Sequence, residues 1–202
     1  MDNTPPVGPH NKRERKSVSF LKDLVKYALT AIIIVVPIRL WVAQPFVVNG
    51  SSMDNTFRNG QYLIVDELTY RFREPERGEV VIFRYPKEPS KYFIKRLVGL
   101  PGETVMVRDD KVTIRNDQYP DGVLLSEPYA QSRTFGNVTV TLKADEYFVM
   151  GDNRVVSSDS RVWGPLPKDD IIGRPIVRLM PLSRMGMLPG AVSTSTIIQE
   201  TN

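Results

Sequence analysis

The chain has 202 residues, 41% hydrophobic and 25% charged, with a net charge of +4. That length gives one ordinary core plus an appendage, and the balance is globular rather than disordered. There is no cysteine, which excludes disulfides, thiolate nucleophiles and cysteine metal sites, and the single histidine is His10.

The basic excess gathers at the start, in "NKRERKS" followed by Lys22 and Lys26, just ahead of the apolar run "LVKYALTAIIIVVPIRLWV" from Leu24 to Val42. Membrane topology explains these cations more simply than nucleic acid does, so no nucleic-acid partner is expected. The charge-free centre, Tyr27 to Ile38, is short of the roughly 20 residues that span a bilayer. Phe20 to Val42 as a helix reaches about 34 Å. Lys26 and Arg39 then snorkel to opposite interfaces, Trp41 serves as an aromatic anchor, and Pro37 kinks the helix. A cleaved signal peptide fits less well, because a cut after Ala43 puts the bulky Trp41 third from the cut. A buried core helix fits poorly behind a basic, polar leader. The expectation is a cytoplasmic leader over 1–21, one uncleaved transmembrane helix in the lipid bilayer over 22–42, and an extracytoplasmic domain beyond it. His10 then lies across the membrane from everything past residue 43, and no histidine can act there as a base.

From 43 to 188 the signals are short β-type runs between turn residues, which predicts a mainly β domain. They are "QYLIVDEL", "GEVVIFRYP", "YFIKRLVGL", "ETVMVRDDKVTIR", "NVTVTLKADEYFVM" and "IIGRPIVRLMPL". "RDDK" reads as a hairpin turn with Asp109 and Asp110 at its tip. Residues 108–140 are richer in polar and turn residues and read as a smaller subdomain or excursion. The Ser/Thr-rich tail, 189–202, is expected to be mobile. No glycine pattern for a dinucleotide or phosphate is present, and no cofactor is expected.

Two clusters carry candidate chemistry. "GSSMDNTF" sets Ser51 beside Ser52, and either is a candidate nucleophile. Without histidine, the available bases are Lys, Asp and Glu, and a lysine serves near neutral pH only if burial lowers its pKa. In "KYFIKRLVGLPGE", strand alternation puts Phe93, Lys95 and Leu97 on one face, an apolar setting for Lys95. The plainer reading is an exposed edge-strand lysine that blocks aggregation. The second cluster, "GDNRVVSSDSRVWG", interleaves Asp, Arg and Ser after the strand-like "EYFVM". A calcium loop is excluded because Trp163 stands where the bidentate Glu belongs. Ion pairs that fix the loop, aiming its hydroxyls at a lysine, are the remaining functional reading.

In this order, "GSSMDNTF", "YFIKRLVGLPGE" and "GDNRVVSSDSRVWG" resemble the type I signal peptidase family, membrane-anchored Ser–Lys proteases that remove signal peptides. The resemblance covers roughly residues 20 to 185. It implies Ser52 as nucleophile, Lys95 as general base, Ser157 as the hydroxyl that orients Lys95, and the Ser52 N–H as part of the oxyanion hole. It also implies structural ion pairs, Asp152 with Arg96 and Asp159 with Arg161. The implied partners are exported preproteins with small residues before the cut, at a plasma or thylakoid membrane, with no metal and no cofactor. Two positions depart from the family pattern. Asn55 replaces a usual Pro, which is expected to loosen the turn after the nucleophile. Gly50 stands where some relatives place a second oxyanion hydroxyl. The self-cleaving repressors share Ser–Lys chemistry but carry a DNA-binding domain in place of an anchor. The alternative of another class is a catalytically inactive, anchored β-domain that binds peptides.

Overall fold

The computed structural model describes residue 20, residues 22–33 and residues 43–192. They fall in two compact units that divide between Trp41 and Val42. In the first, a helix, α1, covers residues 22–33, and the Thr30 hydroxyl donates back to the Lys26 carbonyl at 2.9 Å. Among the described residues, no helix is long and apolar enough to cross a membrane. The leader with His10, the second half of the expected anchor (34–42) and the end of the tail (193–202) lie outside the described residues.

The second unit is built of β-strands, in agreement with the mainly β expectation. Its larger sheet contains β1 (Ala43–Val47), β2 (Tyr62–Asp66), β3 (Val80–Tyr85), β4 (Glu88–Gly99), β9 (Glu146–Met150), β10 (Leu166–Pro167), β11 (Ile171–Met180) and β12 (Gly186–Met187). The order is β1-β2-β11-β3-β4-β9-β10, with β12 added on β11. β1 pairs with β2 alone and carries Pro45, which an edge strand tolerates because it need not donate to a second neighbour. The outlying strand β2 alternates, with Leu63 and Val65 buried and Tyr62 exposed. Central strands lose that alternation because both faces are covered. In β9, Tyr147 and Val149 pack with Val81, Phe83, Leu97 and Leu166, while Phe148 and Met150 join a second core with Val98, Val105 and Ile114.

That second core belongs largely to a smaller sheet of β5 (Thr104–Arg108), β6 (Lys111–Arg115), β7 (Val123–Leu124) and β8 (Val138–Thr141), ordered β7-β6-β5-β8. The β5–β6 hairpin turns at Asp109 and Asp110, whose φ of 48° and 65° supply the left-handed pair that a two-residue turn requires. The run "NVTVTLKADEYFVM" is two strands rather than one. β8 pairs β5 in the smaller sheet, and β9 pairs β4 in the larger. The chain crosses over at 142–145, with Leu142 buried in the shared core. A single-turn helix, α2 (Ser160–Trp163), follows the turn-rich stretch, its first turn capped by Asp159, which accepts from the Arg161 N–H.

Candidate active site

The loop between β1 and β2 carries both serines. Met53 and Phe57, each almost wholly buried against Val48, Leu63 and Val80, hold it down. Its turn is closed by the Asp54 N–H to the Ser51 carbonyl (3.0 Å) and the Phe57 N–H to the Met53 carbonyl (2.7 Å). Asn55 sits inside this turn at φ 82°, in the left-handed region that Asn tolerates and the proline ring forbids. The turn is thus hydrogen-bonded and of a shape that proline at 55 would not permit. Gly50, at φ 93°, donates its N–H to Asn59 Oδ1 at 2.9 Å, and a side chain added there would meet open space.

β4 delivers the lysine. Lys95 is 4% exposed, and its amine lies 5.2 Å from the centre of the Phe93 ring on the same strand face. Its Nζ stands 2.7 Å from Ser52 Oγ and 2.9 Å from the Ile94 carbonyl. Burial lowers the Lys95 pKa from 10.5 to about 8, outweighing the charges of Asp159 and Asp152, which favour the ammonium. At that value a useful fraction of the amine is neutral near pH 7 to 8.

The loop after β9 closes over the same place. Arg96, beside Lys95 on β4, binds Asp152 through two parallel hydrogen bonds, Nε to Oδ1 at 2.8 Å and Nη2 to Oδ2 at 2.6 Å. Both side chains are buried, and Thr56 of the serine loop also donates to Asp152. Asp159 accepts two bonds from the Arg161 guanidinium, each 2.8 Å, and one from the Gly151 N–H at 3.0 Å, beside the capping bond from the Arg161 N–H. Burial alone would raise the Asp159 carboxyl, but the Arg161 hydrogen bonds and charge hold it below its ordinary value. Ser157 is buried, and its Oγ makes no hydrogen bond of good geometry, although it is near enough to Asp159 to help lower that carboxyl. Lys95 therefore contacts Ser52 and the Ile94 carbonyl here, and Ser157, close to the Ser52 backbone across Gly151, makes no hydrogen bond to the amine.

Gly151 brings Ser157 and Ser52 together. A Cβ at this glycine would overlap Ser157 Oγ, Ser157 Cβ and the Ser52 carbonyl oxygen, so only glycine lets the two loops approach so closely. Asn153 has no role in the sequence reading yet makes two contacts to the nucleophile loop. Its N–H donates to the Ser52 carbonyl (3.0 Å) and its side-chain amide to the Ser51 carbonyl (3.2 Å). Because a peptide unit is planar and trans, fixing the Ser51 carbonyl also fixes the Ser52 N–H, which points the opposite way and has no acceptor among the described residues. Its position inside "GDNR" was the only signal available for Asn153.

A cleft of about 740 Å³ opens beside Ser52 and Lys95. Its lining is mainly apolar, including Phe46 and Val48 at one side, Leu63 and Ile82, and Phe93 and Ile94 of β4. Among the described residues, no group of three His, Cys, Asp or Glu converges as a metal-ligand set.

Residues 21–180 match the family model described as signal peptidase, peptidase S26. The chain belongs to that family. It is 37% identical to a probable signal peptidase I-2 of Synechocystis sp., over 88% of this chain and 81% of that one. It is 36% identical to a signal peptidase I of Leptolyngbya laminosa, over 92% of each. A thylakoidal processing peptidase 1 of Arabidopsis thaliana is 34% identical, over 84% of this chain and 52% of that one. Within a signal peptidase, a buried lysine amine in contact with a serine hydroxyl at the end of an apolar cleft has an evident chemical use.

Proposed function

We propose that this signal peptidase removes N-terminal signal peptides from exported preproteins with Ser52 as nucleophile and Lys95 as general base. The observation that carries this reading is the 2.7 Å approach of a desolvated Lys95 amine to the Ser52 hydroxyl. Neutral Lys95 takes the Ser52 proton as the oxygen attacks the scissile carbonyl, giving a tetrahedral intermediate. The lysine passes that proton to the leaving amine as the C–N bond breaks and the acyl-enzyme forms, and the neutral amine then activates the water that releases the acyl group. The Ser52 N–H, aimed by Asn153, donates to the oxyanion. Gly50 contributes no hydroxyl, so that hole holds one donor fewer than in relatives with serine there. Ser157 lies across Gly151 from the Ser52 backbone, while Asp152–Arg96 and Asp159–Arg161 hold the loop in register.

The substrate peptide binds as an added strand. Among the described residues, β4 before Arg96 pairs only with β3, which leaves the other backbone edge of residues 91–95 open to it. The apolar lining of the cleft suits small uncharged side chains before the cut. The leader stays cytoplasmic, residues 22–42 anchor the protein in a plasma or thylakoid membrane, and the β-domain works outside. The test is cleavage of a preprotein by the detergent-solubilised full chain. Ser52→Ala is expected to abolish cleavage and Ser51→Ala to retain much of it. The reverse pattern moves the nucleophile to Ser51, and cleavage by neither wild type nor variant favours a peptide binder.

A further inference from the structure

We infer that Glu127, which the smaller sheet presents on the connection between β7 and β8, is a positioning residue for the catalytic pair, acting through Arg154 on the Gly151 carbonyl. The inference rests on Ser52 and Lys95 being the reacting groups.

Arg154 is buried and divides its donors between two parts of the fold. Its Nε donates to the Gly151 carbonyl at 3.0 Å. Its two terminal nitrogens grip the Glu127 carboxylate from both oxygens, and Nη1 also reaches Thr134 Oγ1 at 2.6 Å. The backbone adds two further ties across the same seam. The Arg154 N–H donates to Ser132 Oγ at 3.1 Å, and Arg161 Nη1 donates to the Phe135 carbonyl at 2.9 Å. Tyr129 lies within the seam, with its hydroxyl on Glu127 at 3.2 Å and the Arg96 guanidinium 4.1 Å above its ring. Residues 127–135 therefore clasp the loop that starts at Gly151.

That loop is where position matters. The Gly151 N–H is held by Asp159 and its carbonyl by Arg154, so charged side chains fix the glycine from both sides. Its Cα is wedged against Ser157 and the Ser52 carbonyl with no room for a methyl group. A shift of Gly151 therefore becomes a shift of Ser157 relative to Ser52, and misplacements of about 1 Å cost up to roughly 100-fold in rate. Without Glu127, Arg154 is a buried guanidinium lacking its carboxylate, and it must turn toward water or another acceptor. Glu127 bonds to Arg154 and Tyr129 and is not among the residues that line the cleft. The charged groups facing the lysine are Asp152 and Asp159, each already paired with an arginine.

The test compares Glu127→Gln and Glu127→Asp with wild type, each as the full chain in detergent. Steady-state cleavage is normalised to the folded fraction read by near-ultraviolet circular dichroism. Glu127→Gln is expected to lower kcat about 10-fold with KM within twofold, because most of the cleft wall, from Phe46 to Ser52 and from Lys91 to Lys95, comes from other elements than the displaced loop. The pH midpoint of kcat/KM is expected to rise as water reaches the loosened lysine. Glu127→Asp keeps the charge and is expected to recover part of kcat and of the midpoint. Where the Gln variant does not fold, the Asp variant decides by the same two readouts. Wild-type kcat and midpoint, or a change in KM alone, overturns the inference. Activity remaining in Ser52→Ala would instead overturn the reading beneath it, whatever Glu127 does.

Discussion

Lys95 and Ser52, on different elements of the fold, meet at 2.7 Å between amine nitrogen and hydroxyl oxygen. The lysine comes from the middle of β4, and the serine from a loop that buried Met53 and Phe57 pin to the core. Neither side chain is held by a surface salt bridge. The contact is set by packing, and the burial of Lys95 is what suits its amine to the base role proposed above.

The pH dependence follows from the burial of Lys95. Burial brings Lys95 to about 8, so the reactive neutral form grows as pH rises through that value. The rate of preprotein cleavage, as kcat/KM, is expected to climb from pH 6 to 9 with an apparent midpoint near 8. A profile flat across this range would assign the base to a carboxylate already ionised at pH 6.

Gly151→Ala tests the close approach of the two loops. The added methyl must displace Ser157 or the Ser52 backbone, and the neighbouring backbone cannot yield as a flexible side-chain end would. Overpacking of this kind costs about 1–3 kcal/mol in stability. Activity is expected to fall at least 100-fold, beyond any loss of folded protein measured by denaturant unfolding. Near-normal cleavage would show that Ser157 and Ser52 need not be so close.

Lys95→Met tests the cost of the buried amine. The unfolded chain binds a proton at this lysine up to about pH 10.5, whereas the folded chain releases it near 8. Between those values, stability from this group rises with pH, and below about 8 the group opposes folding by about 3 kcal/mol. The Met variant is expected to unfold at higher denaturant than wild type at pH 7, with the gap narrowing toward pH 10. A wild type more stable at pH 7 would mean that its amine is well solvated.

The apolar setting of the lysine was legible from local pattern, while Ser52, Lys95 and Ser157 were singled out only by their resemblance to the signal peptidase motifs. Phe93, Lys95 and Leu97 alternate, so an apolar face around the lysine could be read without knowing the neighbouring strands. The Asp109–Asp110 hairpin is equally local. The partners were harder. "VVIF" and "EYFVM" are buried on both faces, so periodicity says that they are central but not which strands flank them. The break within "NVTVTLKADEYFVM" has no proline or glycine to mark it, only the need to pass from one sheet to the other. The Glu127–Arg154 clasp joins residues far apart in the chain, with nothing in either segment naming the other. Asn55 shows the opposite limit. Compared with a pattern it looks like a loss, yet its left-handed φ gives the turn a shape of its own.

The most direct measurement is preprotein cleavage by Lys95→Arg beside wild type, over pH 6 to 10, with both shown to be folded. Arginine keeps the positive charge and most of the reach, but its guanidinium does not give up its proton in a protein and so cannot accept one from Ser52. The account predicts a loss of about 100- to 10,000-fold at every pH, with no recovery as pH rises. Cleavage by Lys95→Arg within about 10-fold of wild type would contradict it and leave Asp152 or Asp159 as the base.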